Sequence, residues 1–460
     1  MSDLRGGSPK ATEWQAAERS RLLRILGVGF GVAATIGATI GAGILRTPGL
    51  VAAQLGSSEL VVAAWVLGGI YALLGANSIA ELGASLPRAG GWYVYARRAF
   101  GDYAGFVVGW TDWLGNCASL AWVAITIGEY SLTLAPKLSG NVKIIAIVVL
   151  LFFSLVQLAG VSVGSGSQKL LSLVKSLAFV AFVVACFAFG GKGSQPTHAQ
   201  TNLHVGSSVF VGIILALQAV ITTYDGWYGS IYFAEEFTKP ERDIPRSMFG
   251  GVLSIAAIYV LVNLALVYVL PLSQMAASEL PVADAAQVIF GARSKELITI
   301  LALVSLLGLI NAVTMGGPRI LFGLCRDYLP SSRMTSINEG GTPVIALSLT
   351  AAATMFLIVS GTFEQLLGIM AFIYVAIYIT GFASLMVLRK REPELPRPFR
   401  SGGYPWATLI VLTGSVIFLV GTIVTDTRNS IYAVLLIAIS YPVYLLTKKI
   451  LLVETAEGRQ

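Results

Sequence analysis

The sequence predicts an all-helical membrane protein of twelve transmembrane helices. Two five-span repeats of inverted topology, with the first and sixth spans broken, are followed by two extra C-terminal spans. Three observations carry that expectation. Hydrophobic residues make up 55% of the 460-residue chain and charged residues only 12%, against about 25% charged in ordinary soluble domains. With a mean hydropathy of +0.77, no polar shell could cover such a core in water. The apolar residues also come in runs long enough to cross a bilayer, which takes about twenty residues per helix. Finally, two of those runs are interrupted by glycine at matching positions of the two halves.

In chain order the runs fall at 25–55, 59–86, 101–134, 142–160, 167–190, 208–235, 247–271, 296–325, 343–361, 363–389, 405–425 and 430–447. The first, third, sixth, eighth and tenth exceed one bilayer thickness and must tilt, break or protrude. The chain therefore divides into an N-terminal tail (1–24), a first repeat (25–190), a second, inverted repeat (208–389), spans eleven and twelve (405–447) and a C-terminal tail (448–460). No apolar core lies close enough to Met1 for a cleavable leader, so the first span is expected to drive insertion.

Lys and Arg number 31 against 24 Asp and Glu, a net charge of +7. In a soluble chain that excess would suggest nucleic acid. Here the basic residues sit in short segments between runs, where they orient a membrane protein. One side collects Arg19, Arg21, Arg24, Arg88, Arg97, Arg98, Lys239, Arg242, Arg246, Arg326, Arg333, Arg389, Lys390, Arg391, Arg397, Arg400, Lys448 and Lys449. The other holds Lys137, Lys143, Lys192, Arg293, Lys295 and Arg428. That asymmetry places both termini in the cytoplasm. Cys117, Cys186 and Cys325 lie in or beside apolar runs, and a disulfide framework is not expected.

The two breaks carry the chemistry. Span one is interrupted at Thr39-Ile40-Gly41-Ala42-Gly43-Ile44 and span six at Tyr224-Asp225-Gly226-Trp227. Glycine lets backbone leave the helical ladder and approach a ligand closely. A half-helix starting near Ala42–Leu45 would aim its N–H groups and positive dipole end at a carboxylate. The preceding half-helix would end in free carbonyls near Thr39 and Ile40, which suit an ammonium. Together they fit a zwitterionic amino acid. The competing reading is a close-packed glycine seam, Gly37 to Gly41 being also a small-xxx-small spacing.

Beyond the breaks, further segments follow in order. They are Ala80-Glu81-Leu82-Gly83, Pro87-Arg88-Ala89-Gly90-Gly91, Ala99-Phe100-Gly101, Glu235-Glu236, Lys239-Pro240-Glu241-Arg242-Asp243-Ile244-Pro245-Arg246, Cys325-Arg326-Asp327, Gly341-Thr342-Pro343 and Arg397-Pro398-Phe399-Arg400. From about residue 25 to 405 this pattern resembles the amino acid–polyamine–organocation superfamily. Within it the chain is most similar to bacterial members related to the L-type amino acid transporters. The resemblance implies a LeuT-like fold and amino-acid transport by alternating access, with substrate held between spans one and six. Two departures bear on the substrate. Ala42 stands where the span-one signature often has serine. Thr222 and Thr223 precede the second break, where L-type relatives often place a bulky aromatic gate. A smaller gate would admit bulkier side chains, or closure would come from Tyr224 or Trp227.

Lys175 lies inside span five, where a lysine costs about 2.5–3.5 kcal/mol on insertion scales unless it finds a partner or water. One reading has it snorkel to the interface. The resemblance implies another: the segment Leu170–Lys175 matches the family's span-five lysine, whose ammonium takes the place of sodium in sodium-coupled relatives. Transport would then be sodium-independent, by exchange or by proton-coupled symport. Asp225, an acid inside a break, either neutralises a substrate amine, caps the following half-helix or pairs with another polar group. Glu235 and Glu236 are expected to form salt bridges of a cytoplasmic gate. Asp112, Asn116 and Asn311 are candidates either for pocket polars or for interhelical hydrogen bonds.

Enzyme-like patterns lack their context. Gly160-Val161-Ser162-Val163-Gly164 imitates a nucleophile elbow, but in an interhelical turn with no strand before it. The only histidines, His198 and His204, sit together in a distant loop. Gly29–Ala34 imitates a dinucleotide fingerprint inside a membrane helix. No cofactor motif and no metal-ligand cluster is expected. The resemblance further implies a bacterial inner-membrane protein, and the loop Ser131–Val142 has none of the cysteine that joins animal L-type light chains to a heavy chain. No obligatory heavy-chain subunit is therefore expected, and spans eleven and twelve pack against lipid or another copy. An amine carrier on the same fold would need a second pocket acid beside Asp225. A non-transporting sensor would call for long cytoplasmic extensions, and a channel for a ring of polar pore residues.

Overall fold

The computed structural model describes residues 22–138, 140–190, 207–328 and 334–457. The expected positions of Arg19, Arg21, Lys192, His198, His204 and Arg333 lie outside them. Among the described residues the chain is helical, and its only extended pairings are isolated bridges, Leu26 with Phe237 and Ile337 with Pro343.

The helices are α1 (Val28–Thr39), α2 (Gly43–Leu55), α3 (Ser58–Ser85), α4 (Trp92–Phe100), α5 (Asp102–Leu134), α6 (Val142–Leu158), α7 (Val161–Phe189) and α8 (Ser207–Thr223). A 3-10 stretch, Gly229–Glu236, follows. Then come α9 (Pro240–Val269), α10 (Leu272–Ala277), α11 (Pro281–Phe290), α12 (Ser294–Tyr328), α13 (Val344–Ser360), α14 (Phe363–Arg391), α15 (Trp406–Thr425) and α16 (Thr427–Glu457). With α11 and α12 taken as one stretch, eight helices are long and apolar enough to cross a membrane, and α1 with α2, bent by 54°, makes a ninth. Three shorter apolar helices are α6, α13 and the part of α8 from Val211.

Large apolar side chains such as Phe152, Leu155, Val184 and Val424 face outward, while the interior holds buried Lys175, Glu236, Arg319, Asn263 and Asn311. That is the arrangement lipid demands, since backbone groups are satisfied within helices and polar side chains turn inward. The molecule is a multi-pass membrane protein. In the most apolar stretches of α15 and α16 only 22% and 17% of residues are buried, so these two helices lie at its periphery.

Several boundaries move from their expected places for local reasons. The fifth helix begins at Val161, not 167, because the chain turns sharply at Gly160 (φ +115). Ser162 is therefore in a helical first turn and not in an interhelical turn, and Lys175 lies about 21 Å along α7 at 1.5 Å per residue. α9 starts at Pro240, where a proline in the first turn loses no hydrogen bond and Glu241 and Asp243 complement the dipole. The last helix runs on to Glu457, through residues expected as a tail.

Candidate functional site

The first break spans Ile40 to Ala42 and opens on an extended residue. Ile40 has φ −76° and ψ 100°, and α2 restarts after Ala42 with no side-chain cap. The second break runs from Tyr224 to Tyr228. At its centre Gly226 has φ +96°, and a Cβ built there would stand 2.5 Å from the Ala38 oxygen. Only glycine lets the two breaks touch.

Neighbouring helices fix this contact. Tyr259 of α9 directs its hydroxyl at the carbonyls of both Thr39 and Thr223, each 3.2 Å away. The hydroxyls of Thr47 and Thr223 lie 2.8 Å apart, joining α2 to α8. Tyr224 is turned away from the cavity and donates to the Trp65 carbonyl. On α7, Gln168, Ser172 and Lys175 form one polar stripe at helical spacing that faces α1. The first two donate to the Ala33 carbonyl. The Lys175 ammonium, fully buried, donates to the carbonyls of Ile40 at 2.6 Å and Gly37 at 3.2 Å. Ser305 of α12 donates to Ile40 at 3.0 Å and reaches Gly41 at 3.3 Å. The carbonyls of Thr39 and Ile40 are thus already engaged by protein donors. The amides of Gly41, Ala42, Gly43 and Ile44 have no acceptor among the described residues.

A cavity of about 550 Å³ opens between the breaks, α5, α12 and α14. Of the residues singled out from sequence, Thr39, Gly41, Ala42, Gly43, Asn116, Thr222, Thr223, Asp225 and Gly226 line it, and so does Asp112. Ile40, Ile44, Tyr224 and Trp227 do not. Trp227 packs instead against Trp92, Tyr228, Tyr378 and Phe382. Asn311 faces the other way, accepting from Gln157 and donating to Gln168 at the seam with α6 and α7. The aromatic walls are Trp122, Tyr228, Tyr232, Phe233 and Tyr374.

The ionisable acids facing this space are Asp112 and Asp225. Asp112 takes a hydrogen bond from Tyr232 on one oxygen, while its Oδ2, like Asp225 Oδ1 and the Thr39 hydroxyl, is buried without a partner among the described residues. Sequence reasoning missed Tyr259, Ser305 and Tyr232. Their signal was only a hydroxyl inside an apolar run.

Behind Phe233, which lines the cavity, lies a cluster of ion pairs. Glu236 and Arg319, both fully buried, form a two-pronged pair at 3.0 Å on each arm. Arg319 also donates to the Met315 carbonyl and lies over the Phe233 ring. One residue earlier, Glu235 accepts from Arg326 at 2.9 Å and from the Ala89 amide. Nearer the surface, Asp327 pairs with Arg88 and Arg97. Leu26, just before α1, exchanges backbone hydrogen bonds with Glu236 and Thr238, so the start of span one and the end of span six are fastened together.

The model of the family described as amino acid permease matches residues 31–441. The chain belongs to that family. Among its curated relatives is the serine/threonine exchanger SteT of Bacillus subtilis (strain 168), 30% identical over 94% of this chain and 98% of that protein. The large neutral amino acids transporter small subunit 2 of Mus musculus is 28% identical, over 85% of this chain and 75% of its own length. The Asc-type amino acid transporter 1 of the same organism is 29% identical, over 84% and 74%. These relatives are named as transporters and exchangers, and membership in the permease family places the chain among membrane transporters, outside the enzymes.

Proposed function

We propose that this permease is a sodium-independent secondary transporter of amino acids, working by exchange or proton-coupled symport through alternating access. The observation that carries the reading is the Lys175 ammonium seated on the Gly37 and Ile40 carbonyls. Carbonyls at the end of a broken half-helix are where a cation is held. A lysine built into that place leaves no task for a sodium ion. The unengaged amides at the start of α2 supply a carboxylate site with a favourable dipole. Because the Thr39 and Ile40 carbonyls are occupied, the substrate amine turns instead to Asp225, which lines the cavity and has one oxygen without a partner among the described residues.

The eight long helices, the broken pair and the three shorter apolar helices together support twelve spans. Residues 25–190 and 208–389 form the two inverted repeats of a LeuT-like fold. Both termini are cytoplasmic, in a bacterial inner membrane, and the chain works without a heavy-chain subunit. In that orientation the Glu235–Arg326 and Glu236–Arg319 pairs are the closed cytoplasmic gate. Leu50 and Thr222, exposed at the cavity's other end, mark an outward-open arrangement.

The test is uptake of labelled amino acids into sodium-free liposomes that are empty, preloaded with unlabelled amino acids, or under an inward proton gradient. Uptake only into preloaded vesicles identifies an exchanger, and acceleration by the gradient in empty vesicles a proton symporter. A requirement for sodium overturns the reading.

A further inference from the structure

We infer, on the transporter reading above, that the solute is a dibasic amino acid, with Asp112 of α5 receiving its second, side-chain ammonium. Two acids line the cavity, and among the described residues no Lys, Arg or His lines it. Lys175 is engaged by backbone carbonyls and Arg319 by Glu236, while Arg46 of α2 is exposed and does not line the cavity. A carboxylate taken out of water without a cation either takes up a proton or draws a positive charge to itself, and a solute entering the cavity can supply that charge. A zwitterionic neutral amino acid brings one ammonium, which its own carboxylate already offsets. A dibasic one brings two.

The geometry sorts the three charged groups of such a solute. The α-carboxylate faces the unengaged amides of Gly41–Ile44. Asp225, in the break that touches Ala38, lies beside them and takes the α-ammonium. Asp112, which lines the cavity from a different helix, is 2% exposed and held in position by the Tyr232 hydroxyl at 3.0 Å, and its buried Oδ2 has no partner among the described residues. The rings of Tyr228, Tyr232 and Tyr374 stand around that space and favour a cationic group over their faces. A diamine would satisfy both acids but leave the α2 amides unanswered, which is why the amino acid is favoured.

The experiment is competition in proteoliposomes, with labelled leucine as tracer and unlabelled lysine, ornithine, leucine, serine and cadaverine as competitors. It is run on the wild-type protein and on Asp112→Asn, which keeps the acceptor for Tyr232. Lysine and ornithine are expected to displace tracer at concentrations about tenfold or more below leucine, and Asp112→Asn to bring them level with leucine in whatever tracer uptake the variant retains. Leucine or serine competing as well as lysine overturns the inference and leaves the transporter reading intact. Cadaverine outcompeting lysine overturns it as well, because the carboxylate is then not read. So does an Asp112→Asn protein that loses only proton-driven accumulation and keeps its competitor ranking. Absence of all amino-acid uptake would instead be a failure of the transporter reading. The wild-type ranking decides the question even where the variant does not fold.

Discussion

At Lys175 two opposing terms nearly cancel for stability but not for function. Burying its charge at mid-helix costs about 2.5–3.5 kcal/mol, while each charge-assisted hydrogen bond to the Gly37 and Ile40 carbonyls returns about 1.5–3 kcal/mol. Lys175→Ala is therefore expected to keep its melting temperature within about 5 °C of wild type while uptake falls more than about tenfold. A parallel loss of both would mean that the lysine only holds the fold. Gly226 makes a sharper case. A methyl group there meets the Ala38 oxygen at 2.5 Å in a left-handed backbone, a strain of about 1–3 kcal/mol before any clash. Gly226→Ala should lower uptake at least about tenfold. Gly29→Ala, where nothing stands within 4 Å, should leave uptake unchanged.

The decisive element is α2, whose first turn borders the cavity. At Gly43 a Cβ would already lie 3.3 Å from Thr223. Gly43→Leu therefore projects a side chain at the second break and fills the solute's place. Binding should be lost while the protein still folds, as checked by ligand-induced thermal shift beside size-exclusion behaviour, and a fully active Gly43→Leu protein would sink the break as the site. At this scale the sequence was legible where residue type alone decides. The glycines of both breaks, Lys175 inside an apolar run and the long apolar runs themselves needed no partner to be seen. What stayed hidden was direction. Water does not mark one face of a helix immersed in lipid, so nothing in the spacing distinguished Asp112, which faces the cavity, from Asn311, which faces α6 and α7. The start of α7 was missed because its serines and glycines imitate a turn yet pack as helix. Trp92–Phe100 and the pair α10 and α11 were too short to stand out between spans.

For the molecule as a whole, the buried Glu236–Arg319 pair is the charged feature with most at stake. Removing one member of a buried ion pair strands the other at a cost of about 3–5 kcal/mol, whereas replacing both with apolar residues of similar volume is often neutral. Arg319→Met should thus lower the melting temperature markedly, and Glu236→Leu combined with Arg319→Met should recover most of it. If the pair acts as a gate, the recovered double variant should leak labelled solute down its gradient, which denaturant-free efflux from preloaded liposomes would reveal. A double variant with wild-type coupling would reduce the pair to a structural tie. The seat of the Lys175 ammonium has an electrical consequence at this scale. A cation that belongs to the chain stays with it, and if transport is sodium-independent as proposed, no inorganic charge accompanies the solute through the cycle. The voltage across the membrane then acts only on the charge of the solute itself and of any proton that travels with it. One uncompensated positive charge moving inward through 100 mV gains about 2.3 kcal/mol, enough to hold roughly a fifty-fold gradient. Swapping an external dibasic amino acid for an internal neutral one would therefore run uphill in concentration on voltage alone, and a potassium-diffusion potential of either sign should drive or stall it.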